Sequence, residues 1–137
     1  MNGSNDGVVT INTESDIIIA RQTARYLAKK LGFGITDVTR IVTAASELAR
    51  NIHTYADNGI MRWRIFDSAL KHGLELIFED NGPGIPNIEL AMEVGYATKG
   101  GLGLGLSGTK RLMDEMEIES EINKGTKVTI RKWLRRR

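Results

Sequence analysis

Apolar residues recur every three or four positions in two long stretches of the first half of the chain. This spacing places them on one face of an α-helix and predicts two amphipathic helices. Thr13 is expected to cap the first helix and Gly32 to end it, whereas Thr36 should cap the second, which should stop near Asp57. The predicted buried stripe of the first helix is Ile17, Ala20, Ala24, Leu27 and Leu31. That of the second is Ile41, Ala44, Ala45, Leu48, Ile52 and Tyr55.

Shorter stretches in which apolar and polar residues alternate predict β-strands. They cover residues 8–11, 60–66, 74–79, 118–122 and 126–133, and the last two form a hairpin around Asn123-Lys124-Gly125. A short helical segment at 87–94 and a helix at 107–115 precede that hairpin. Together these elements predict an α/β, or α+β, two-layer sandwich in which a mixed sheet carries helices on one face.

The chain has the size and composition of one folded domain. Its 137 residues, 41% apolar and 26% charged, are typical of a globular protein, and we expect one domain over 1–137 with residues 1–7 disordered. No apolar run reaches the roughly 18 residues of a spanning helix, and no signal region opens the chain, so the expected location is cytoplasmic. The absence of cysteine excludes disulfides, thiolate zinc sites and cysteine nucleophiles.

Positive charge is concentrated at the C-terminus. Five of the seven residues 131–137 are Lys or Arg, and removing them from the net charge of +2 leaves −3 for the rest of the chain. We interpret this segment as a basic tail on a mildly acidic fold. Neither a nucleic acid nor a membrane is therefore expected as a partner.

A carboxylate and an amide lie one turn apart on the second predicted helix. Glu47 and Asn51 both fall at the rim of the apolar stripe, about 80–120° from its centre. Such a pair can border a core without further function. It can equally hold Mg²⁺ and a water against a nucleotide phosphate, because hard cations prefer oxygen ligands and retain some water.

The strand at 74–79 ends in Asp80-Asn81-Gly82-Pro83-Gly84. Leu74, Leu76 and Phe78 share one face of that strand, so a period of two turns Asp80 inward as well. The segment is compatible with an ordinary turn, since all of its residues are turn formers. It is also compatible with a carboxylate that accepts a hydrogen bond from an exocyclic amine, beside glycines that let the backbone approach a flat ring.

Eight of the 15 glycines lie between residues 82 and 108, and the segment 100–108 is the richest. It predicts a mobile loop whose amides, with the N-terminus of the following helix, receive phosphate. Residues 95–106 are accordingly expected to be the least ordered internal segment. The dinucleotide-binding fingerprint fits weakly because no strand precedes it, and a Walker A loop is excluded because Gly101 stands where lysine is required.

These three elements, followed by Gly125-Thr126, resemble in order the ATP-binding motifs of the GHKL (Bergerat-fold) ATPase and kinase superfamily. The resemblance covers about residues 8–134. Within the superfamily, segments 46–51, 79–86 and 100–114 are similar to the serine/threonine kinases and anti-sigma regulatory factors of bacterial stress signalling.

This resemblance implies a role for each motif residue. Glu47 would be the general base or would orient a water, Asn51 would coordinate Mg²⁺, and Asp80 would bind the adenine amine. Arg50, beside Asn51, can reach a phosphate or a partner, although a solvated arginine fits its position equally. The remaining positions implied to bind nucleotide are Gly82, Gly84, Gly101, Gly103, Gly105, Leu106, Gly108 and Thr126.

The implied activity is that of a serine/threonine protein kinase that uses ATP and Mg²⁺. The implied partners are STAS-domain substrates of a stressosome-like complex and a PP2C-type phosphatase activated by binding, and a homodimer is left open. One alternative is an anti-sigma factor kinase that binds a sigma factor. The other is a non-catalytic module that binds ATP as a structural ligand, which the intact Glu47 and Asn51 disfavour.

Overall fold

Five strands and four helices make up the part of the chain that the structure describes, residues 5–93 and 105–135 of a computed structural model. The strands are β1 (Asp6–Ile11), β2 (Gly59–Asp67), β3 (His72–Asp80), β4 (Glu115–Glu121) and β5 (Gly125–Trp133). The helices are α1 (Glu14–Leu31), α2 (Ile35–Ala56), α3 (Ile88–Ala91) and α4 (Gly105–Leu112). In these residues no helix is long and apolar enough to cross a membrane.

The strands form one sheet in the order β1-β2-β3-β5-β4, and every neighbouring pair is antiparallel. The expected mixed sheet is therefore wrong in this detail, whereas the two-layer sandwich is confirmed. The chain returns from β3 through α3 and α4 to β4, which runs parallel to β3. The β4–β5 hairpin places β5 between them, so the two parallel strands never pair.

The two long helices cover one face of the sheet. Buried side chains of α1 and α2 share a single core with the inward positions of the sheet, which include Leu74, Leu76, Phe78, Val128 and Ile130. The alternate positions of β2, β3 and β5 carry charged residues on the opposite face. This alternation is what the period-two pattern predicts for a sheet with one covered face.

The ends of α1 confirm the sequence prediction. The Thr13 side chain accepts a hydrogen bond from the Asp16 backbone, and the Asp16 carboxylate accepts from the Thr13 backbone, which forms a capping box. The backbone N–H groups of Asn12 and Thr13 both donate to the Asp16 carboxylate and lower its pKa. Gly32 closes the helix in the left-handed conformation, with φ of 97°.

Other predicted boundaries need correction. Gly34, and not Thr36, is the N-cap of α2, and no side chain caps it. Tyr55, placed in the buried stripe of α2, is 55% exposed because its turn of the helix extends beyond the edge of the core. The helix predicted at 107–115 begins and ends earlier, as α4, and the short segment predicted at 87–94 is helical only in α3, capped by Asn87. Val94 lies outside the described residues.

The described residues near both ends of the chain lie in β-strands. Asp6 and Gly7, expected in a disordered N-terminus, pair with β2. Residues 131–133, expected to open a basic tail, are the last residues of β5. Arg131 contacts the carboxylates of Glu75, Glu115 and Glu117 on the open face of the sheet. These acidic side chains compensate the positive charge and allow the segment to continue the strand.

Lys132 is the buried cation of the covered face, with 7% of its surface exposed. Its Nζ donates to the Leu112 carbonyl at the end of α4 at 2.9 Å and lies 3.6 Å from carboxylate oxygens of both Asp37 and Asp114. It therefore ties the start of α2 and the end of α4 to β5.

We expect Lys132→Met to lower the free energy of unfolding by about 1–3 kcal/mol, because the variant leaves a helix-end carbonyl and two carboxylates without their cation. Urea denaturation measures this change. Lys124→Met is the matched control, since that lysine is exposed in the β4–β5 turn. Equal stability of the two variants would contradict the role given to Lys132.

Candidate functional site

A cavity of about 410 Å³ opens between the C-terminal half of α2 and the ends of β3 and β5. The loop 83–86 and the first residues of α4 close its sides. Its walls are mainly apolar, and Leu48, Ile52, Phe78 and Val128 contribute to them. The residues with polar side chains that line it are Asn51, Tyr55, Asp80 and Thr126. An apolar cleft with a few convergent polar groups has the form of a small-molecule site.

Asp80 is the last residue of β3 and pairs with Thr126 of β5. Its side chain lines the cavity, as the period-two pattern predicted. Oδ1 accepts a hydrogen bond of 2.9 Å from the backbone N–H of Gly82, which holds the carboxylate in one orientation. The remaining lone pairs of the carboxylate are acceptors that a ligand amine can use.

The glycines after Asp80 permit close approach of the loop to its neighbours. A Cβ atom at Gly82 would lie 2.6 Å from the Cβ of Ala56 on α2. Gly84 has φ of +80°, and a Cβ there would lie 2.3 Å from the Glu121 carbonyl oxygen. Both positions require glycine. The loop can therefore lie flat between α2 and β4 and form one wall of the cavity.

Glu47 lies deeper than the sequence indicated. The predicted rim position is in fact 5% exposed, because α4 packs against α2 and covers it. Oε1 is 3.4 Å from Nη1 of Arg50, and Oε2 is buried with no hydrogen-bond partner in the described part of the chain. Burial raises the pKa of Glu47, while Arg50 and a backbone hydrogen bond from Gly105 oppose the increase.

Asn51 follows Glu47 by one helical turn and lines the cavity, half-buried. Arg50 is exposed apart from its ion pair with Glu47, and it is not among the residues that line the cavity. The structure thus brings Asn51, Asp80 and Thr126 to one cavity, with Glu47 on the adjoining turn of α2.

The glycine-rich segment is only partly described. Gly101 and Gly103 lie outside the described residues, as does most of the predicted mobile segment 95–106. Gly105 and Leu106 begin α4 and line the cavity, and Gly108 lies within that helix. Residues 105 and 106, expected in the mobile segment, are therefore helical, which corrects the prediction for these two residues. The first residues of α4 nevertheless line the cavity, and the start of a helix favours an anion.

The sequence prediction missed Ser120 of β4. Its hydroxyl lies 2.9 Å from that of Thr126 and accepts a hydrogen bond of 2.7 Å from the Ile85 backbone. The signal was available in the alternation of β4, where Met116 and Ile118 point inward and Ser120 takes the next inward position. A polar residue at an inward position requires a hydrogen-bond partner.

The residues of the site fit a nucleotide with its metal. The apolar walls suit a flat ring, Asp80 supplies an acceptor for a ring amine, and the start of α4 suits phosphate. Glu47 does not itself line the cavity, and its buried, unpartnered Oε2 lies one helical turn before Asn51. No group of three acidic or histidine side chains in the described ranges forms a metal site of its own. Mg²⁺ commonly uses one or two protein oxygen ligands, such as an amide oxygen, and completes its coordination with substrate phosphates and water.

Comparison with known proteins defines the class. Residues 36–136 match the family of histidine kinase-, DNA gyrase B- and HSP90-like ATPases, and the chain belongs to this family. The matched range includes the residues that line the cavity.

Similar individual proteins indicate a narrower group within this family. The chain is 53% identical to the serine/threonine-protein kinase RsbT of Bacillus subtilis over 93% of its length and 96% of that protein's length. It is 36% identical to the anti-sigma F factor of Clostridium kluyveri over 82% of both chains. A crystal structure of the RsbU and RsbW domains of a Mycobacterium tuberculosis protein shares the fold, with a TM-score of 0.66 and 18% identity, covering 97% of this chain and 34% of that one. The chain is an ATP-dependent protein kinase of the family.

Proposed function

We propose that this kinase transfers the γ-phosphoryl group of ATP to a serine or threonine hydroxyl of a partner protein and acts as a partner switch in bacterial stress signalling. The observation that carries the proposal is the pair formed by Glu47 and Asn51. A buried carboxylate with one unpartnered oxygen lies one turn before an amide at the cavity. A domain that bound ATP only as a structural ligand would have no need of that carboxylate.

Different residues of the cavity would bind different parts of the nucleotide. Asp80 would accept the adenine amine, and Thr126 would join it on the same side of the ring. Gly82 and Gly84 keep the loop close enough to form the adenine wall. Asn51 would hold Mg²⁺, which when bound neutralises phosphate charge and fixes the geometry of the triphosphate.

Glu47 would act on the acceptor hydroxyl. An oxygen acceptor in this position can orient the hydroxyl and take its proton as the phosphoryl group is transferred. The raised pKa of Glu47, caused by burial, makes the carboxylate a better base than an exposed glutamate. Phosphoryl transfer depends mainly on positioning and charge stabilisation, which these residues can supply.

We propose the partners that the resemblance to bacterial stress-signalling kinases implies. They are STAS-domain acceptors in a stressosome-like complex and a PP2C-type phosphatase activated by binding, and the 53% identity to a kinase named RsbT supports a partner-switch role. The setting would be the bacterial cytoplasm. The identity to anti-sigma F factors supports a second candidate, a kinase that also binds a sigma factor.

Affinity capture from the native cell separates these two functions. The tagged protein should retain a STAS-domain protein and, after that protein is phosphorylated, a phosphatase. Recovery of a sigma factor that is released on addition of the unphosphorylated STAS protein would favour the anti-sigma function instead.

The buried charge of Glu47 also predicts a gain of stability on its removal. Because the pKa of Glu47 is raised above its ordinary value of 4.5, the folded state holds its proton to higher pH than the unfolded chain does. The stability of the wild type therefore falls as pH rises through the folded value. Glu47→Gln should raise the free energy of unfolding without nucleotide by about 1 kcal/mol at neutral pH, which is roughly 3–5 °C in melting temperature.

Calorimetric melting at neutral pH and below the ordinary pKa of glutamate measures the effect. The advantage of Glu47→Gln should vanish in acid, where both side chains are neutral. Glu14→Gln, a change at an exposed carboxylate in the first turn of α1, is the control. A Glu47→Gln protein less stable than the wild type at neutral pH would contradict the assignment of an unfavourable buried charge.

A further inference from the structure

The hydroxyl of Ser120 joins three parts of the cavity wall. It accepts a hydrogen bond of 2.7 Å from the Ile85 backbone N–H in the loop after β3. It donates to the Gly125 carbonyl at 3.1 Å, and it lies 2.9 Å from the hydroxyl of Thr126. Ser120 and Thr126 are also register partners on β4 and β5. One side chain on β4 thus contacts the loop that forms one wall of the cavity and the strand that forms another.

The direction of the Ser120–Thr126 hydrogen bond follows from counting protons. A serine hydroxyl has one proton to donate. The Gly125 carbonyl can only accept, so the Ser120 proton is used in that bond. Thr126 must then donate its own proton to Ser120. The oxygen of Thr126 consequently presents lone pairs, and no proton, to the cavity that it lines.

Asp80 is the register partner of Thr126 on β3 and faces the same cavity as an acceptor. Two acceptors side by side complement the two protons of an exocyclic amine. They repel the carbonyl oxygen that a 6-oxopurine carries at the same position. A buried polar group that is left without its complement is the strongest source of discrimination in small-molecule sites.

We propose that Ser120 is a positioning residue for base selectivity, which fixes the Thr126 hydroxyl as an acceptor and so favours a 6-aminopurine over a 6-oxopurine nucleotide. This inference rests on the proposed nucleotide function of the cavity. Ser120 does not line the main cavity and acts through Thr126. When the Ser120 hydroxyl is removed, Thr126 becomes free to rotate its proton toward the base and to donate to a carbonyl oxygen.

The test is isothermal calorimetry with ADP and IDP, which differ at the 6-position of the base. Wild-type protein should bind ADP and strongly disfavour IDP. In Ser120→Ala the affinity for ADP should fall about threefold to tenfold, and the preference for ADP over IDP should fall about tenfold. Ser46→Ala is the matched control, because that serine bonds to the Val42 carbonyl within α2 and lies outside the cavity lining.

A double-mutant cycle separates a positioning role from a structural one. Thr126→Val should by itself lower the preference for ADP over IDP about tenfold, as Ser120→Ala does, because Asp80 remains as an acceptor. Adding Ser120→Ala to Thr126→Val should change the ratio no further. If Ser120→Ala weakens ADP and IDP equally, or keeps the wild-type preference, the proposal is overturned. Should Ser120→Ala not fold, Ser120→Cys, with its weak hydrogen-bonding group, provides the same comparison. Wild-type protein that binds neither nucleotide would instead overturn the proposed function itself.

Discussion

Replacing Glu47 with alanine should reduce phosphoryl transfer by about 10²–10⁴ while changing ATP affinity by only a few-fold. The carboxylate lies one turn from Asn51 with one buried, unpartnered oxygen, and in the proposed function that oxygen interacts with the acceptor hydroxyl. An interaction that forms in the transition state affects kcat more than ground-state binding. Single-turnover transfer to a STAS-domain acceptor and calorimetry with ATP and Mg²⁺ measure the two quantities.

Two further variants serve as comparisons for the Glu47→Ala variant. Asn51→Ala should damage both binding and transfer, because it removes the proposed ligand of the metal that the triphosphate carries. Glu119→Ala changes a carboxylate on the open face of the sheet and should leave both unchanged. Normal transfer by Glu47→Ala would show that another group handles the acceptor hydroxyl.

Asp80→Asn should abolish measurable binding of adenine nucleotides. In the wild type Oδ1 accepts the backbone hydrogen bond from Gly82. The amide oxygen of the variant would keep that bond, which leaves the NH2 group facing the cavity. A donor would then meet the donor of the adenine amine, and the loss of a charged acceptor adds to this mismatch.

The fold of this variant should be preserved, because the substitution conserves size and retains the contact with Gly82. Circular dichroism and thermal melting would verify this. Asp67→Asn, at the exposed end of β2, is the matched control and should bind ADP like the wild type. Unchanged ADP affinity in folded Asp80→Asn would remove Asp80 from the proposed adenine site.

Much of the fold could be predicted from the sequence, because the patterns that indicate helices and strands are local. The apolar stripes of α1 and α2, the capping box at Thr13 and the alternation in β3 depend on spacing along the chain alone. The order of the strands in the sheet could not be predicted from local patterns. Whether β4 or β5 lies beside β3 depends on how the chain returns from α4, and no residue pattern within either strand encodes that choice.

In the candidate site, too, some residues could be predicted from the sequence and others could not. Asn51 and Asp80 could be identified because each belongs to a motif continuous in sequence. The burial of Glu47 could not be predicted, since α4, which covers it, is 58 residues further along the chain at Gly105. Ser120 and Lys132 acquire their roles through contacts between distant elements, Ser120 with Ile85 and Lys132 with Leu112. Only the folded structure brings those groups together.

The most direct test of the central claim is a single-turnover reaction with γ-labelled ATP, Mg²⁺ and a purified STAS-domain protein, followed by mass-spectrometric location of the phosphate. The proposed function predicts phosphate on a serine or threonine of the acceptor with the wild-type kinase, and nearly none with Glu47→Ala at the same nucleotide occupancy. Wild-type protein that binds ATP tightly and yet leaves every STAS acceptor unmodified would contradict it.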